Sequence, residues 1–337
     1  MEIKRVEEED IDDVLELFCV SDPRHIRSRR YYYWRNWESP FGRAYSFLLK
    51  VNGKPVAHYS VLPMEIYYRG KTVKIGYGQQ AVVHPKRRNL KYIYILMNEI
   101  VNRLKEEKIG FIIAFPNDDF YLVKEKIMKW TLVSRTTAKT YIIEDILNTN
   151  IFSGVSSKDN NANVQKIYNV NSHLHILKEQ SLDDNIIVFK SDWKYIDWRY
   201  IKNPESFYFI FLHRSHDKWQ ENVIFDGIAV LKPYFDRESR ELTGHILQLE
   251  AENVNSQLEL IYHSLRYMKD ELGVRKLIQW DFGSSLIRDF LKKFDYIEER
   301  YHVNFLIKGV TLEDEEKLKE FLDESRWFID MHISDVY

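Results

Sequence analysis

Several features of the sequence recur at a nearly constant distance along the chain. A Trp-Arg pair stands six residues before a proline twice, and an aromatic segment follows each proline. Later, a glycine twice separates an amphipathic segment from a short apolar one. The matching positions lie 164 residues apart at the tryptophans and prolines and 163 apart at the glycines: Trp34 and Trp198, Pro40 and Pro204, Gly110 and Gly273. A constant offset across separate elements predicts two copies of one α+β unit.

The chain is long enough for two such units. It has 337 residues, of which 45% are hydrophobic and 15% aromatic, which is typical of folded domains rather than of disorder. Residues 148–165 are rich in Asn and Ser and contain few apolar side chains, so we expect a linker there. The predicted division is an N-terminal domain at 1–147, a linker at 148–165, a C-terminal domain at 166–310, and a C-terminal helix and tail at 311–337.

Composition excludes several classes of protein. The single cysteine, Cys19, rules out a disulfide framework and a cysteine-based zinc site, and it suits a reducing cytosol. No apolar run approaches the roughly 18 residues that a membrane span needs. The acidic start of the chain does not have the pattern of a secretory signal. His173 and His175 have no third ligand at a supporting spacing, so we expect no metal. The cysteine count and the absence of a signal pattern together predict a cytoplasmic protein.

Strand and helix patterns follow a definite order in the first copy. Asn52-Gly53 and Arg69-Gly70 each stand between two strand-like segments, as hairpin turns do. Apolar residues at helical spacing over 90–108 predict a long amphipathic helix. A short buried strand is expected at 111–115, with a helix and further strand after it. The order predicts an α+β fold in which a mixed, mostly antiparallel sheet is flanked by helices.

Positive charge is concentrated where this long helix begins. Residues 1–150 carry a net charge of +6 and residues 151–337 one of −8. The string AVVHPKRRNLK at 81–91 ends a predicted strand and brings four basic side chains to the helix start. Because a helix N-terminus presents unpaired N–H groups and a positive dipole end, this arrangement favours a phosphate ligand.

This segment and the order of elements resemble the GNAT N-acyltransferase superfamily. Residues 81–93 are similar to the end of the family's fourth strand and its pyrophosphate loop, and Phe115-Pro116-Asn117 is similar to the end of its fifth strand. The resemblance covers roughly residues 1–145 and, through the repeat, more weakly 166–310. It implies two tandem GNAT-like domains.

The resemblance implies acetyl-CoA or a related acyl-CoA as co-substrate, and no metal. The pantetheine arm would lie between the fourth and fifth strands, and the pyrophosphate at the helix start. The implied contacts are Val82, Val83, His84, Arg87, Arg88, Asn89, Leu90, Lys91, Tyr92, Ile93 and Asn117.

The sequence departs from the family pattern at two glycines. Lys91 and Ile93 stand where the family has Gly, which normally permits close approach of the backbone to a phosphate. In the second copy, residues 249–255 contain neither glycine nor a basic residue. We therefore expect the cofactor site in the first copy and a degenerate second copy.

Catalysis in the superfamily requires a proton acceptor for the amine and a donor for the leaving thiolate. The family's acid is a Tyr seven residues after the Asn, but Lys124 stands there in this chain. The candidates are Tyr121, one turn earlier, and Gln80 and His84 on the strand. Two of them have a structural alternative: packing for Tyr121, and a solvated strand end for His84. Gln80 is too weakly basic to act alone but could orient a water. Tyr32, Tyr33 and Trp37 are expected to border the acceptor groove.

These features predict an acyl-CoA-dependent N-acyltransferase, acetyl transfer being favoured, that acts on a small amine such as an amino-sugar or amino-acid derivative. Two alternatives remain open. The filled glycine positions suit a catalytically inactive GNAT-fold binding or scaffold protein. The basic first half suits a Fem-type aminoacyl transferase that uses tRNA. Otherwise nucleic acid is not expected, because the basic-aromatic segment at 30–35 is echoed in the acidic half. No oligomeric state is predicted.

Overall fold

The computed structural model describes residues 1–23, 26–155, 163–170, 185–214, 225–236, 240–283, 285–311 and 318–334. Within these ranges, 14 strands belong to one continuous sheet. The strands are β1 (Glu2–Arg5), β2 (Tyr45–Val51), β3 (Lys54–Tyr68), β4 (Lys71–Val83), β5 (Phe111–Ala114), β6 (Thr131–Ile142), β7 (Val164–Ile167), β8 (Ile187–Phe189), β9 (Phe209–Arg214), β10 (Phe225–Asp236), β11 (Glu241–Ala251), β12 (Lys276–Trp280), β13 (Glu298–Gly309) and β14 (Trp327–Phe328).

Helices flank this sheet. They are α1 (Ile11–Ser21), α2 (Arg29–Trp37), α3 (Leu90–Glu106), α4 (Asp118–Leu122), α5 (Ile143–Leu147), α6 (Trp193–Ile196), α7 (Val254–Asp270) and α8 (Leu286–Leu291). A π-helical turn extends α4 over Val123–Ile127, and another extends α6 over Asp197–Ile201. The predicted α+β class with a mixed, mostly antiparallel sheet is confirmed.

Both predicted hairpin turns are present, and their central residues have the left-handed backbone conformation that a tight hairpin needs. Asn52 and Gly53 both have positive φ, 52° and 73°, and so do Arg69 and Gly70, 50° and 68°. Two consecutive left-handed residues make the tight turn whose twist matches that of the flanking strands. These turns set the register of β2, β3 and β4, the strands that carry the candidate site.

The sequence repeat is also a structural repeat. The series β2, β3, β4, α3, β5, α4, β6 is matched by β9, β10, β11, α7, β12, α8, β13. Helices α3 and α7 are each 17 residues long, and their first residues are 164 positions apart. In both copies the third strand pairs in parallel with the fourth at only two positions.

The two copies exchange their last strands. β13 of the second copy pairs with β5 of the first, and β6 of the first copy pairs with β12 of the second. β6 and β13 also pair with each other in the middle of the sheet. The copies therefore share one sheet and one central core, which includes Trp34, Phe111, Trp198 and Phe305. The division at 148–165 stays a prediction, and 156–162 within it lie outside the described residues.

The last described segment is built into the core between the copies. Residues 318–334 form short 3₁₀ turns and β14, which pairs in parallel with β8. Trp327 and Met331 have no exposed surface. Most of the helix predicted at the start of the C-terminal tail falls outside the described residues. In the described part of the chain, no helix is both long and apolar enough to span a membrane.

Candidate functional site

Strands β4 and β5 separate soon after they pair. Their only paired positions are Gly76 with Ile112 and Tyr77 with Ile113. β4 then continues to Val83, and beyond Tyr77 its only strand partner among the described residues is β3. The edge of β4 that faces β5 is therefore open there, and an open strand edge can pair with an extended ligand.

The open edge of β4 leads directly to the N-terminus of α3. Asn89 caps the helix through its side-chain oxygen, which accepts from the N–H of Lys91 at 2.9 Å. Four side chains around this cap are exposed, and the structure shows no ion pair or hydrogen bond for them with any described residue: Lys86, Arg87, Arg88 and Lys91. A 17-residue helix with exposed cations at its first turn is a site for an anion.

The point where the strands separate is tightly packed. A Cβ atom on Gly78 would lie 2.7 Å from Tyr59 Oη and 3.5 Å from the Trp130 ring. Lys124 Nζ donates to Tyr59 Oη at 3.0 Å and lies 3.7 Å from the centroid of the Trp130 ring. Lys124 is only 2% exposed. The buried amino group of Lys124 therefore lies beside a phenol at the apex of the cleft, and burial raises the pKa of Tyr59 so that the phenol stays protonated at neutral pH.

β4 carries a bulge within its open stretch. Its register to β3 shifts between His58 and Ser60, and Gln80 adopts a left-handed conformation with φ of 51°. For a residue other than glycine this conformation costs about 1–2 kcal/mol. His58 Nδ1 lies 2.9 Å from the Gln80 carbonyl oxygen. The Gln80 side-chain oxygen is buried and has no hydrogen-bond partner among the described residues.

The other two catalytic candidates have defined contacts. His84 is half-buried, and its Nδ1 accepts from the N–H of Lys86 at 3.2 Å, which caps the turn after β4. Tyr121 is 7% exposed; burial raises the pKa of its hydroxyl, and a hydrogen bond to Glu125 raises it further. A raised pKa makes Tyr121 a weaker proton donor near neutral pH. The catalytic roles of Gln80, Tyr121 and His84 stay predictions.

The predicted cofactor contacts fall on the open edge and the helix start. Val82 packs toward α1 and Val83 toward α3, as alternation along a strand requires. Ile93 is 1% exposed and belongs to the core beneath α3, whereas Lys91 points to solvent. The side chain of Ile93 is therefore directed away from the exposed surface, and only its backbone is available to a phosphate. Asn117 caps α4 by accepting from the N–H of Phe120 at 3.0 Å.

The three residues expected at the acceptor groove differ in exposure. Tyr32 has no exposed surface and is hydrogen-bonded to Ser46, so packing replaces the expected contact with an acceptor. Tyr33 donates to Glu8 at 2.7 Å. Trp37 packs edge-on against Tyr33, with ring centroids 4.7 Å apart. Only Tyr33 and Trp37 retain accessible surface.

The corresponding cleft of the second copy has a different character. β11 and β12 separate in the same way, but the N–H of Leu249 on β11 donates to Asp330 Oδ2 at 3.0 Å, so the C-terminal segment covers part of that strand. The cap of α7 is Asn253, which donates to Asp226 at 3.3 Å, and Glu252 precedes it. Acidic groups thus stand where the first copy has cations. The second cleft is unsuited to a phosphate.

A separate open cleft of about 520 Å³ lies over the exchanged strands β6 and β13. Its walls are charged and largely paired with one another: Asp281 contacts Lys139 at 2.6 Å, and Arg135 contacts Asp118 at 3.2 Å. No group of three or more His, Cys, Asp or Glu side chains among the described residues could hold a metal.

Comparison with known proteins agrees with this geometry. Residues 2–122 match the family described as an acetyltransferase (GNAT) domain. A probable N-acyltransferase of unknown function from Enterococcus faecalis V583 is similar over 93% of this chain and 73% of its own, with a TM-score of 0.64 and 10% identity. The chain has the GNAT fold.

Two further solved structures share this GNAT fold. A GCN5-related N-acetyltransferase from Anabaena variabilis ATCC 29413 matches 92% of this chain and 73% of its own, with a TM-score of 0.65 and 12% identity. Saccharomyces cerevisiae N-myristoyltransferase with bound myristoyl-CoA and inhibitors matches 91% and 79%, with a TM-score of 0.58 and 14% identity. No curated protein matches the chain in sequence. The resemblance inferred from the motif at 81–93 is thus confirmed at the level of the fold.

The residues that sequence reasoning missed are His58 and Tyr59. Both lie in the first half of β3, where His58 and Ser60 interrupt an otherwise apolar run. That interruption is the only local sign in the sequence that these two residues belong to the site. Their relation to Gln80 and Lys124 depends on strand pairing and on the π-helical turn after α4, which the residue pattern does not specify.

Proposed function

We propose that this protein is an acyl-CoA-dependent N-acyltransferase whose co-substrate binds in the first copy. The observation that carries the proposal is the open edge of β4, which ends at the exposed cations of the α3 N-terminus. Pantetheine amides would pair with the edge at Val82 and Val83, and the pyrophosphate would lie among Arg87, Arg88 and Lys91. The Asn89 side chain would then release the N–H of Lys91 to a phosphate oxygen.

The proton donor in this proposal is the pair of Lys124 and Tyr59. In acyl transfer the amine nitrogen bonds to the thioester carbon, the C–S bond breaks, and the sulfur leaves as a thiolate that needs a proton. The side-chain nitrogen of Lys124 lies at the apex of the cleft, where it donates a hydrogen bond to Tyr59, and in this proposal it supplies the proton that the thiolate takes. The acid role is assigned to Lys124 rather than to Tyr121 because Lys124 is bonded to Tyr59 at the point where β4 and β5 part. Gln80 would hold the water that takes the proton of the amine.

The packing at the apex supports a short acyl group. Tyr59, Trp130 and Lys124 fill the space around Gly78 where the two strands part. A long acyl chain would have to displace these buried side chains, whereas an acetyl group needs the least room of the common acyl groups. We therefore propose acetyl-CoA as the donor and a small amine, such as an amino-sugar or amino-acid derivative, as the acceptor.

Calorimetric titration with acetyl-CoA, followed by a thiol-release assay with a panel of small amines, tests the proposal. Binding with micromolar affinity and amine-dependent release of CoA is the expected result. Absence of heat at millimolar acetyl-CoA would refute it. Myristoyl-CoA serves as the comparison donor, and we expect it to support slower turnover than acetyl-CoA because of the filled apex.

A second candidate is a GNAT-fold protein that binds acyl-CoA without turning it over. Lys124 at the position of the family's acid favours it, because a buried lysine side chain that is held against aromatic rings can also serve packing alone. Acetyl-CoA binding without thiol release for any amine in the panel would favour this candidate over the enzyme.

A further inference from the structure

A buried series of hydrogen bonds runs across four successive elements of the first copy. The hydroxyl of Tyr32 on α2 lies 2.7 Å from Ser46 Oγ on β2. Ser46 Oγ lies 2.7 Å from His58 Nε2 on β3, and His58 Nδ1 lies 2.9 Å from the carbonyl oxygen of Gln80 on β4. We call this series the His58 relay. It links α2 to the left-handed residue of the β4 bulge.

The carbonyl oxygen of Gln80, where the relay ends, determines which atom donates in each of its hydrogen bonds. A carbonyl oxygen only accepts, so His58 Nδ1 must carry the proton and donate to Gln80. His58 Nε2 then accepts from the hydroxyl of Ser46, whose oxygen accepts from Tyr32. All three side chains are at most 2% exposed. Because burial lowers the pKa of His58 to about 4, the imidazole is neutral at physiological pH and this tautomer persists.

The relay ends at a strained position inside the proposed site. Gln80 has φ of 51° and lies three residues beyond Tyr77, the last residue of β4 that pairs with β5. Strained backbone persists where surrounding structure holds it, and a bulge re-aims the strand that carries it. The second copy also has a bulge in its third strand, between Ile246 and Gln248, but no residue there with positive φ.

We propose that His58 is a positioning residue of the acyl-transfer site. Its Nδ1–H holds Gln80 in the left-handed conformation and thereby fixes the backbone and side chain of β4 at the cleft. The proposal rests on the proposed function, since positioning matters to catalysis only if acyl transfer occurs at this cleft. Tyr32 and Ser46 hold the imidazole in the donating tautomer, which gives the fully buried Tyr32 a role in the site without contact to substrate.

A matched pair of substitutions separates positioning from packing. The amide nitrogen of Asn can take the place of Nδ1, so His58→Asn keeps a donor for the Gln80 carbonyl. The longer Gln places its amide near Nε2, so His58→Gln keeps the contact to Ser46 and loses the donor. Each variant keeps one of the two hydrogen bonds of the imidazole and loses the other. A third variant, Gln80→Gly, supplies a residue that adopts positive φ without support.

The measurements are kcat, the Kd for acetyl-CoA and the melting temperature of each variant. We expect His58→Gln to lower kcat about tenfold or more with Kd unchanged, and His58→Asn to stay within about threefold of the wild type. Gln80→Gly also removes the side chain proposed to hold the water, so kcat should be lower throughout that background. Within it, the ratio of kcat between the two His58 variants should be about one. An equal loss of kcat in His58→Asn and His58→Gln, or a difference that persists with glycine at position 80, would overturn the proposal.

Crystal structures of the two variants keep this result distinct from failure of the proposed function. If the wild type shows no turnover, the acyltransferase proposal fails. The conformation of Gln80 in the two variants then shows whether His58 holds this residue in place. A positive φ in His58→Asn with an extended Gln80 in His58→Gln supports the relay as a conformational support. A positive φ in both variants refutes it. If His58→Gln does not fold alone, recovery of folding on adding Gln80→Gly supports the relay, and failure of Gln80→Gly to recover folding refutes it.

Discussion

Trp34 and Trp198 hold the two copies together by reciprocal hydrogen bonds. Trp34 Nε1 donates to the carbonyl oxygen of Trp198 at 2.6 Å, and Trp198 Nε1 donates to the carbonyl oxygen of Trp34 at 2.8 Å. Their rings are stacked with centroids 5.4 Å apart. The residues are 164 positions apart, the offset of the sequence repeat. The two tryptophans therefore mark an approximate twofold axis between the copies.

Trp198→Phe should destabilise the protein by about 1–3 kcal/mol, because it leaves the buried carbonyl oxygen of Trp34 without its donor. Urea unfolding measures the change. Trp37→Phe is the matched control, since Trp37 Nε1 is buried without a partner among the described residues and its removal breaks no hydrogen bond. Equal losses in the two variants would mean that ring packing, rather than the reciprocal bonds, joins the copies.

Reversing charge at the start of α3 should weaken binding of acetyl-CoA. For the double variant Arg87→Glu, Arg88→Glu we expect at least a tenfold rise in Kd, about 1.4 kcal/mol, and a weaker dependence of Kd on salt. Calorimetry at two salt concentrations measures both. Lys54→Glu changes an exposed charge in the β2–β3 turn and serves as control. An unchanged Kd in the double variant would place the phosphates elsewhere.

Gly78→Ala should both destabilise the protein and slow turnover, because the new methyl group would lie 2.7 Å from Tyr59 Oη. A loss of about 1–3 kcal/mol is typical of overpacking. Adding Tyr59→Phe removes the clashing oxygen and should recover part of that stability. If the double variant is no more stable than the sum of the single changes predicts, the apex is more open than the structure shows.

His213 should stabilise the fold at acidic pH. It lies 2.5 Å from Asp226 and 3.1 Å from Glu259, and although burial opposes protonation, these two carboxylates raise its pKa. A raised pKa in the folded state adds stability below the unfolded value of about 6.5, and this stability is lost as pH rises through the folded value. The difference in unfolding free energy between wild type and His213→Gln should be larger at pH 5.5 than at pH 9. A difference independent of pH would contradict the assignment.

His58 and His245 should act in the opposite direction. Burial lowers the pKa of His58 to about 4 and that of His245 to about 3. As pH falls, the two imidazoles bind protons at a higher pH in the unfolded chain than in the folded protein. The stability that both contribute is therefore complete above pH 6.5 and is lost as pH falls toward 4. Urea unfolding of His213→Gln, which removes the opposing group, should show a steady loss of stability between pH 6.5 and 4.5. A flat profile would show that the two imidazoles titrate normally.

Much of the fold could be predicted from local pattern. The turns at Asn52-Gly53 and Arg69-Gly70, the long helix from Leu90 and the repeat all depend on residues close in sequence or on a fixed offset. The four cations around the start of α3 are equally apparent from the sequence. The linker at 148–165 and the domain bounds were read from composition, and composition contains no information about strand exchange.

The sequence by itself determined the repeated α+β unit, the mostly antiparallel sheet and the cationic helix start, because turn chemistry, hydrophobic period and charge act over a few residues. Only the tertiary structure decided that β6 and β13 are exchanged between the copies and that Asp330 covers part of the second cleft. It also decided that Lys124 is hydrogen-bonded to Tyr59, and His58 to Gln80. These relations join residues 22 to 198 positions apart in the chain, and pairing over such distances is selected by the burial and hydrogen bonding of the whole core rather than by any local pattern.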